Sequence, residues 1–246
     1  MRLFNIFLLL IMISAFQSCK KKSIADCFKS TGEITEQWRK TDNIAKIIIR
    51  DNISVMLIPS DSSGVLISAG QNIIDKIITD INADTLDISN TNSCNWVRDF
   101  SIPVTAKIFI DNICELDYRS IGDVNCSDTL RSDSLKINVF EGAGTLNVLV
   151  NSPFVISAIH YGTADIKLSG ICKLSQVYSA SFGLIDNRDL VCQQVYVTNK
   201  SSNDIYLNAQ KSLSASIRGI GNIYYKGKPD ISLDKPGSGK LVELKE

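Results

Sequence analysis

Residues 213–229 read LSASIRGIGNIYYKGKP, a strand-like segment on each side of a glycine-rich turn. Apolar and polar residues alternate on both sides of Gly221, which is the pattern of strands with one buried face. Similar turn residues recur along the chain at intervals of 22, 18, 21, 20 and 18 residues: Gly122, Gly144, Gly162, Gly183, Asn203 and Gly221. A period of about 20 residues with strands before and after each turn is typical of a β-solenoid, whose stacked rungs share one core. We therefore predict an all-β fold, a right-handed parallel β-helix-like solenoid.

The pattern of apolar and polar residues divides the chain into three segments. They are a lipoprotein signal peptide (1–18), a polar tether (19–43) and a single β-helix-like domain (44–246). Within the domain, residues 44–120 form a first half and residues 121–246 form the regular repeats. We expect strands of the first half to cap the N-terminal end, and residues 236–244 to cover the other end, because an exposed last rung invites aggregation. One segment, 73–81, has an apolar spacing that suits a short helix as well as a strand.

The first residues carry the features of an exported lipoprotein. Residues 3–13 are apolar except for Asn5, and the small residue Ser18 stands before Cys19. An apolar run of this length is typical of a signal peptide, whereas a membrane-spanning helix needs about 20 residues. We predict lipidation of Cys19, which would anchor the protein in the cell envelope at the outer membrane, on its periplasmic or its surface side. Secretion without a lipid and a retained membrane helix are the alternatives.

The charge balance argues against one class of partner. Lys and Arg together count 26, as do Asp and Glu, so the formal net charge is 0. Proteins that bind nucleic acids through the phosphate backbone usually concentrate Lys and Arg on one face, and the repeats carry no such stripe. We therefore expect no nucleic-acid partner.

Residues suited to catalysis or metal binding are scarce. His160 is the only histidine, no G-x-S-x-G turn is present, and no two cysteines are spaced as C-x2-C. Serine hydrolases of the elbow type and most structural zinc sites need those groups. We therefore expect no catalytic residue, no metal and no cofactor. The alternative is a polysaccharide-active β-helix enzyme with outward-facing carboxylates, because glycoside hydrolysis needs only two of them at a set separation.

Outward-facing residues of the repeats suggest a ligand-binding face. Asn147, Asp165 and Asp186 each follow a turn glycine by three residues, so a constant register would align them in a ladder about 4.8 Å from rung to rung. Tyr178 and Tyr196 are expected to share one outward column. Such groups could bind a glycan or a protein, although solvated acids and packed aromatic side chains are the structural alternative.

Six cysteines follow Cys19, an even number that permits three disulfides in an exported chain. They are Cys27, Cys94, Cys114, Cys126, Cys172 and Cys192. Buried free thiols are the favoured interpretation for most of them, because unpaired cysteines are among the most buried residues. Cys192 falls where neighbouring repeats place Leu174 and Leu213, so we expect it to pack as a small apolar side chain.

The repeat that contains Gly221 also resembles a known family. The residues that carry the resemblance are Gly219, Ile220, Gly221, Asn222, Ile223, Tyr224, Tyr225, Gly227 and Pro229. They resemble the closing signature of the putative auto-transporter adhesin, head GIN domain family, and further similarity extends over nearly all of the chain after Cys19. The resemblance implies a β-helix-like body on an exported, often lipid-anchored protein, and it brings no catalytic residues with it.

The glycine-rich turn of this signature also has a structural interpretation. Gly219, Gly221 and Asn222 can take the positive φ that a corner between strands requires, and Gly227 and Pro229 complete the motif. We therefore expect a non-enzymatic, lipid-anchored β-solenoid of the cell envelope that acts as an adhesin or binds another macromolecule. Its partners would be the membrane, through the N-terminal lipid, and an extracellular glycan or protein.

Overall fold

The computed structural model of the protein describes residues 30–92 and 103–245. The fold is all-β, as predicted, and forms a β-solenoid of about six turns. The strands are β1 (Ile34–Lys40), β2 (Lys46–Asp51), β3 (Ile53–Pro59), β4 (Gly64–Gly70), β5 (Ile77–Asn82), β6 (Thr85–Asn90), β7 (Val104–Ile110), β8 (Glu115–Ser120), β9 (Val124–Cys126), β10 (Leu130–Arg131), β11 (Ser134–Gly142), β12 (Thr145–Ile159), β13 (Asp165–Ser179), β14 (Ile185–Asn199), β15 (Ile205–Ile217), β16 (Ile223–Lys226), β17 (Asp230–Asp234) and β18 (Leu241–Glu243). A short 3-10 helix at Ile74–Lys76 leads into β5, so the segment 73–81 combines a helical turn with a strand.

The regular half of the solenoid consists of long strands stacked in parallel. β12 pairs with β13, β13 with β14 and β14 with β15, each strand lying directly over its neighbour one rung away. Along β12 the buried Leu146, Val148 and Val150 alternate with residues that face solvent. One rung cannot bury this apolar face alone, so the core forms only when successive rungs stack.

The order of the first rungs along the solenoid differs from their order in the sequence. β2 pairs in parallel with both β6 and β8, and β3 pairs in parallel with both β7 and β9. The rung formed by β2 and β3 therefore lies between two rungs that come later in the chain. β4 and β5 pair antiparallel with β7 and β6 and end the parallel stack. These are the capping strands that we predicted for the N-terminal end.

The segment 19–43 is not a tether throughout. β1 lies within it and pairs antiparallel with β4 over its whole length. The Trp38 ring packs over Gly64 and meets the Phe109 ring edge-on, with 5.2 Å between centroids. Most side chains of β1 are exposed, so the strand lacks the apolar alternation by which a sequence reveals a strand. Pairing with the edge of β4 holds it in place.

The C-terminal end of the solenoid differs from the prediction. Residues 236–244 do not cover the core, because β17 and β18 themselves form the last rung, in parallel with β15 and β16. Ile231 and Leu233 continue the core columns of Leu213 and Ala215 but are each 46% exposed. Within the described residues, nothing packs over this rung.

The cysteines also differ from the prediction. Cys172 and Cys192 lie opposite each other on adjacent rungs and form a disulfide, so Cys192 is not a free apolar side chain. The register pairs Leu174 with Gln194 and not with Cys192. Counting from the turns suggested the wrong partner because the pairing of β13 with β14, and of β14 with β15, is irregular. Cys114 and Cys126 are free, the first exposed and the second half-buried. Cys19, Cys27 and Cys94 lie outside the described residues.

Each turn is a corner at which the backbones of successive rungs approach closely. A Cβ atom added to Gly221 would overlap the carbonyl oxygen of Asn203, and one added to Gly183 would overlap that of Ala164. The positions that stack at this corner are Gly122, Gly144, Ala164, Gly183, Asn203, Gly221 and Gly239. The equivalent of Gly144 is therefore Ala164 rather than Gly162.

We expect Gly142→Val to lower the free energy of unfolding by about 3 kcal/mol. Gly142 has a φ of +111°, and a side chain there would also overlap the backbone of Ser120. Ala143→Val is the matched control, because Ala143 is the next residue in the same turn and is exposed. Chemical denaturation measures both variants, and equal unfolding midpoints would contradict the close stacking of these corners.

A second prediction concerns Tyr118, which is fully buried behind the first of these corners. Its hydroxyl donates a hydrogen bond to the carbonyl oxygen of Gly122 and accepts one from the backbone N–H of Gly144. Burial raises the pKa of Tyr118 to about 12, against about 10 for an unfolded tyrosine. Between about pH 10 and pH 12, the Tyr118 hydroxyl therefore keeps its proton in the folded state and loses it in the unfolded state.

Because the folded-state pKa is the higher one, the contribution of Tyr118 is complete below about pH 10 and is lost as the pH rises towards 12. The stability difference between wild type and Tyr118→Phe should accordingly shrink by about 2 kcal/mol between pH 9.5 and pH 12. Urea unfolding across this range measures the difference. A constant difference would mean that Tyr118 ionises like an exposed tyrosine.

Candidate functional site

The strand segments that precede the corners stack into one continuous parallel sheet. The segments are 46–51, 115–120, 134–139, 154–159, 174–179, 194–199, 212–217 and 230–234. We call the solvent side of this sheet the front face. Outward side chains at the same position of each rung form columns about 4.8 Å apart from rung to rung.

A row of rings runs along the edge of the front face next to the corners, where Phe140 and His160 directly follow their strand segments. Phe140 and His160 are stacked with 4.8 Å between centroids, and His160 lies 5.5 Å from Tyr178. The guanidinium of Arg119 covers the Phe140 ring at 4.5 Å, and the ammonium of Lys200 lies 5.3 Å from the Tyr178 ring. The aromatic row thus has a cation at each end, an arrangement that stabilises rings through their negative faces.

The only histidine of the chain has a packing role in this row. Burial, followed by the charge of Lys136, lowers the pKa of His160, so the imidazole is neutral at pH 7. Its ring is enclosed by those of Phe140 and Tyr178. A general base needs a nucleophile or a water within hydrogen-bond distance, and no protein nucleophile among the described residues occupies that position.

Tyr178 and Tyr196 lie together, although not in the same column as predicted. The register pairs Tyr178 with Thr198 and Tyr196 with Gln176, so the two tyrosines are diagonal neighbours. They line a shallow groove of about 220 Å³ that crosses three rungs. Its lining residues are Ile156, Gln176, Val177, Tyr178, Tyr196 and Thr198. We call this feature the tyrosine groove.

A group of charged residues at the N-terminal end of the front face is mutually compensated. The Lys46 Nζ lies 2.7 Å from Asp117 and 3.1 Å from Glu115, and Lys136 lies 3.4 Å from Glu115. Burial disfavours the charge of Asp117, but hydrogen bonds from Lys46 and Asn138 outweigh it and lower the pKa of Asp117. This end of the face therefore consists of compensated ion pairs, whereas the tyrosine groove has no charged lining residue.

The predicted acidic ladder is wrong. The register places Lys167 between Asn147 and Asp186, and it pairs Asp165 with Thr145 instead. Asp186 is bound by the Arg188 guanidinium at 2.7 Å. The cause is the corner alignment described above: the corner position is Ala164, two positions after Gly162, so every position that was counted from Gly162 is displaced by two.

Asp165 has a different role, which the sequence analysis missed. Its Oδ1 accepts a hydrogen bond of 2.8 Å from the backbone N–H of Leu184 on the next rung. The side-chain oxygens of Asp123, Asp204 and Asn222 make the same bond to Thr145, Asn222 and Lys240. These four residues form a set of rung-to-rung bonds beside the corners. A sequence signal exists, because each follows directly after a corner position.

The family-like motif also has a different physical basis from the one predicted. Gly219, Gly221 and Asn222 do not have positive φ, and within the motif only Gly227 does, at +98°. A side chain at Gly219 or Gly221 would overlap the carbonyl oxygen of the rung below. These glycines therefore allow close stacking of corners. Pro229 lies in the turn between β16 and β17.

The strand segments that follow the corners carry a second, smaller aromatic stack. Tyr206 and Tyr224 are stacked at 5.0 Å, and the guanidinium of Arg188 covers the Tyr206 ring at 4.1 Å. Because Arg188 also binds Asp186, these side chains are engaged with one another.

Two further findings bear on function. In residues 30–92 and 103–245, no helical segment has the length and apolar composition needed to cross a bilayer. The same part of the chain brings no three His, Cys, Asp or Glu side chains together as metal ligands.

Known proteins show the same fold. The sequence pattern of the putative auto-transporter adhesin, head GIN domain family matches residues 43–229. A putative adhesin from Bacteroides fragilis has 24% identity and a TM-score of 0.80, covering 86% of this chain and 97% of that one. A putative lipid binding protein from Parabacteroides distasonis has 19% identity and a TM-score of 0.68, covering 88% and 98%. A putative adhesin from Parabacteroides merdae has 18% identity and a TM-score of 0.65, also covering 88% and 98%. No curated protein matches the chain.

Proposed function

Because the chain belongs to the putative auto-transporter adhesin, head GIN domain family, we propose that it is a non-enzymatic, lipid-anchored binding protein of the cell envelope. Its ligand is an extracellular glycan or protein, which it contacts through the front face of the solenoid. The observation that carries this proposal is the tyrosine groove, where two aromatic rings and uncharged polar side chains face solvent on a rigid sheet. Aromatic side chains on a rigid frame are typical of recognition surfaces.

The placement of the acidic residues supports binding over catalysis. A polysaccharide-active enzyme of this fold would need two carboxylates that face one cleft at a set separation. Asp165 instead bonds to the backbone of the next rung, and Asp186 is held by Arg188. Neither carboxylate lines the tyrosine groove.

Lipid attachment at Cys19 would keep the solenoid close to the membrane. Residues 20–33 separate Cys19 from β1. A chain of that length spans at most about 50 Å when fully extended. The front face would therefore meet ligands within a short distance of the envelope surface.

The anchor can be tested by metabolic labelling with an alkyne fatty acid. We expect label on the wild-type protein and none on Cys19→Ala, because the Cys19 thiol is the predicted acceptor. Cys27→Ala is the matched control and should be labelled like the wild type. Equal labelling of wild type and Cys19→Ala would remove the lipid anchor from the proposal.

The binding role can be tested with the full-length Cys19→Ala chain on an array of glycans and extracellular proteins. We expect at least one ligand, whose affinity falls at least tenfold in Tyr196→Arg, because the substitution removes an aromatic ring and puts a charge into a groove without charged lining residues. Ile171→Arg is the matched control, since Ile171 is an exposed apolar residue of a strand segment that follows a corner. Equal losses in both variants, or no ligand at all, would count against binding through the front face.

A further inference from the structure

We infer that the tyrosine groove binds an uncharged polysaccharide whose chain runs along the solenoid axis, across the rungs. The inference rests on the proposed binding function and specifies its ligand class. The lining residues Ile156, Gln176 and Tyr196 come from three successive rungs, so the long dimension of the groove crosses the strands.

The groups that line the groove match the two surfaces of a sugar ring. A pyranose presents an apolar face of C–H groups and a rim of hydroxyls. The rings of Tyr178 and Tyr196, with Ile156 beside them, offer apolar area, and Tyr196 is 49% exposed. Tyrosine also carries a polar tip, which suits a ligand that is apolar on its face and polar at its edge.

Polar groups of the groove are free to bond with a ligand. Within the described part of the chain, the side chains of Gln176, Tyr196 and Thr198 make no hydrogen bond to other protein groups. An amide and two hydroxyls can each donate and accept. That is the pattern needed for sugar hydroxyls, which are likewise donors and acceptors.

The distribution of charge favours a neutral ligand over a charged one. No lining residue is Asp, Glu, Lys or Arg, and the acidic pair Glu115 and Asp117 elsewhere on the front face is already paired with Lys46 and Lys136. Lys200 lies beside the groove but is directed at the Tyr178 ring. An anionic ligand would find only this one ammonium group, already engaged with a ring, to offset its lost hydration, which is unfavourable.

The size of the groove distinguishes a polysaccharide from a folded protein. A stable protein interface buries about 800 Å² on each partner. The groove has a volume of only about 220 Å³ and is lined by six residues, so it is much smaller than such an interface. An extended chain one sugar wide fits such a site without a second large surface.

The two rungs that carry the tyrosines are held rigidly. The disulfide joins Cys172 to Cys192, and the same two strands continue to the pairs Gln176 with Tyr196 and Tyr178 with Thr198. Contacts with His160 on one side and Lys200 on the other fix the Tyr178 ring. Binding therefore costs little ordering of the Tyr178 side chain, which favours affinity.

The experiment uses the full-length Cys19→Ala chain and measures retardation in gels that contain a polysaccharide. The probes are uncharged polymers (soluble cellulose derivatives, mannan, dextran and acetylated chitin oligomers) and charged ones (alginate, polygalacturonate and heparin). We expect retardation by at least one uncharged polymer and not by the charged ones. Tyr196→Ala and Gln176→Ala should each weaken it at least fivefold, whereas Ile171→Ala should leave it unchanged.

Tyr196→Phe separates the contribution of the ring from that of the hydroxyl, and it should retain most of the binding because the ring face is kept. Melting temperatures of all variants verify that they are folded, and Tyr196 is exposed enough to be replaced without disturbing the core. Binding only to charged polymers or only to proteins would overturn this inference and leave the proposed function standing. Binding to an uncharged polymer that none of the groove variants weakens would also overturn it. The absence of any ligand would overturn both.

Discussion

The structure depends on the distance between successive rungs, which parallel backbone hydrogen bonding sets at about 4.8 Å. At the corners this spacing leaves no volume for most side chains, because the Cα of Gly183 or Gly221 lies directly over a carbonyl oxygen. Between corners the same spacing forces residues of one kind into columns, as with Leu213 over Val195 in the core. Asp165 and Asn222 add side-chain bonds from one rung to the next beside the corners. Small residues at the corners and apolar columns inside are thus two results of one geometric requirement.

The same requirement makes the two ends of the solenoid unlike each other. A stack of parallel strands has an unpaired edge at each end, and such edges promote aggregation unless they are covered or charged. At the N-terminal end, antiparallel pairing by β4 and β5 closes the stack. At the C-terminal end, Asp230 and Asp234 flank the half-exposed Ile231 and Leu233 of β17, so charge takes the place of a cap among the described residues.

Stacking also separates the residues that hold the fold from those that can bind a ligand. Outward side chains of the front face contribute little to the core, so their chemistry can differ from rung to rung without loss of the solenoid. Compensated ion pairs around Asp117 are followed along the axis by the aromatic row and then by the uncharged tyrosine groove. A rigid sheet can thus carry side chains of different chemistry from rung to rung.

Local patterns in the sequence determined the class of fold, because alternation of apolar residues and recurring turn residues reflect constraints within one rung. They were sufficient for the all-β solenoid and the family-like corner at Gly221. Only the tertiary structure decided the register, which paired Cys172 with Cys192, placed Tyr178 diagonal to Tyr196 and took Asp165 out of the predicted ladder. It also decided that β2 and β3 lie between later strands and that β1 joins the sheet. The physical reason is that hydrogen bonds and irregular pairings between rungs join residues about 20 or more positions apart, and no local pattern records which residues those are.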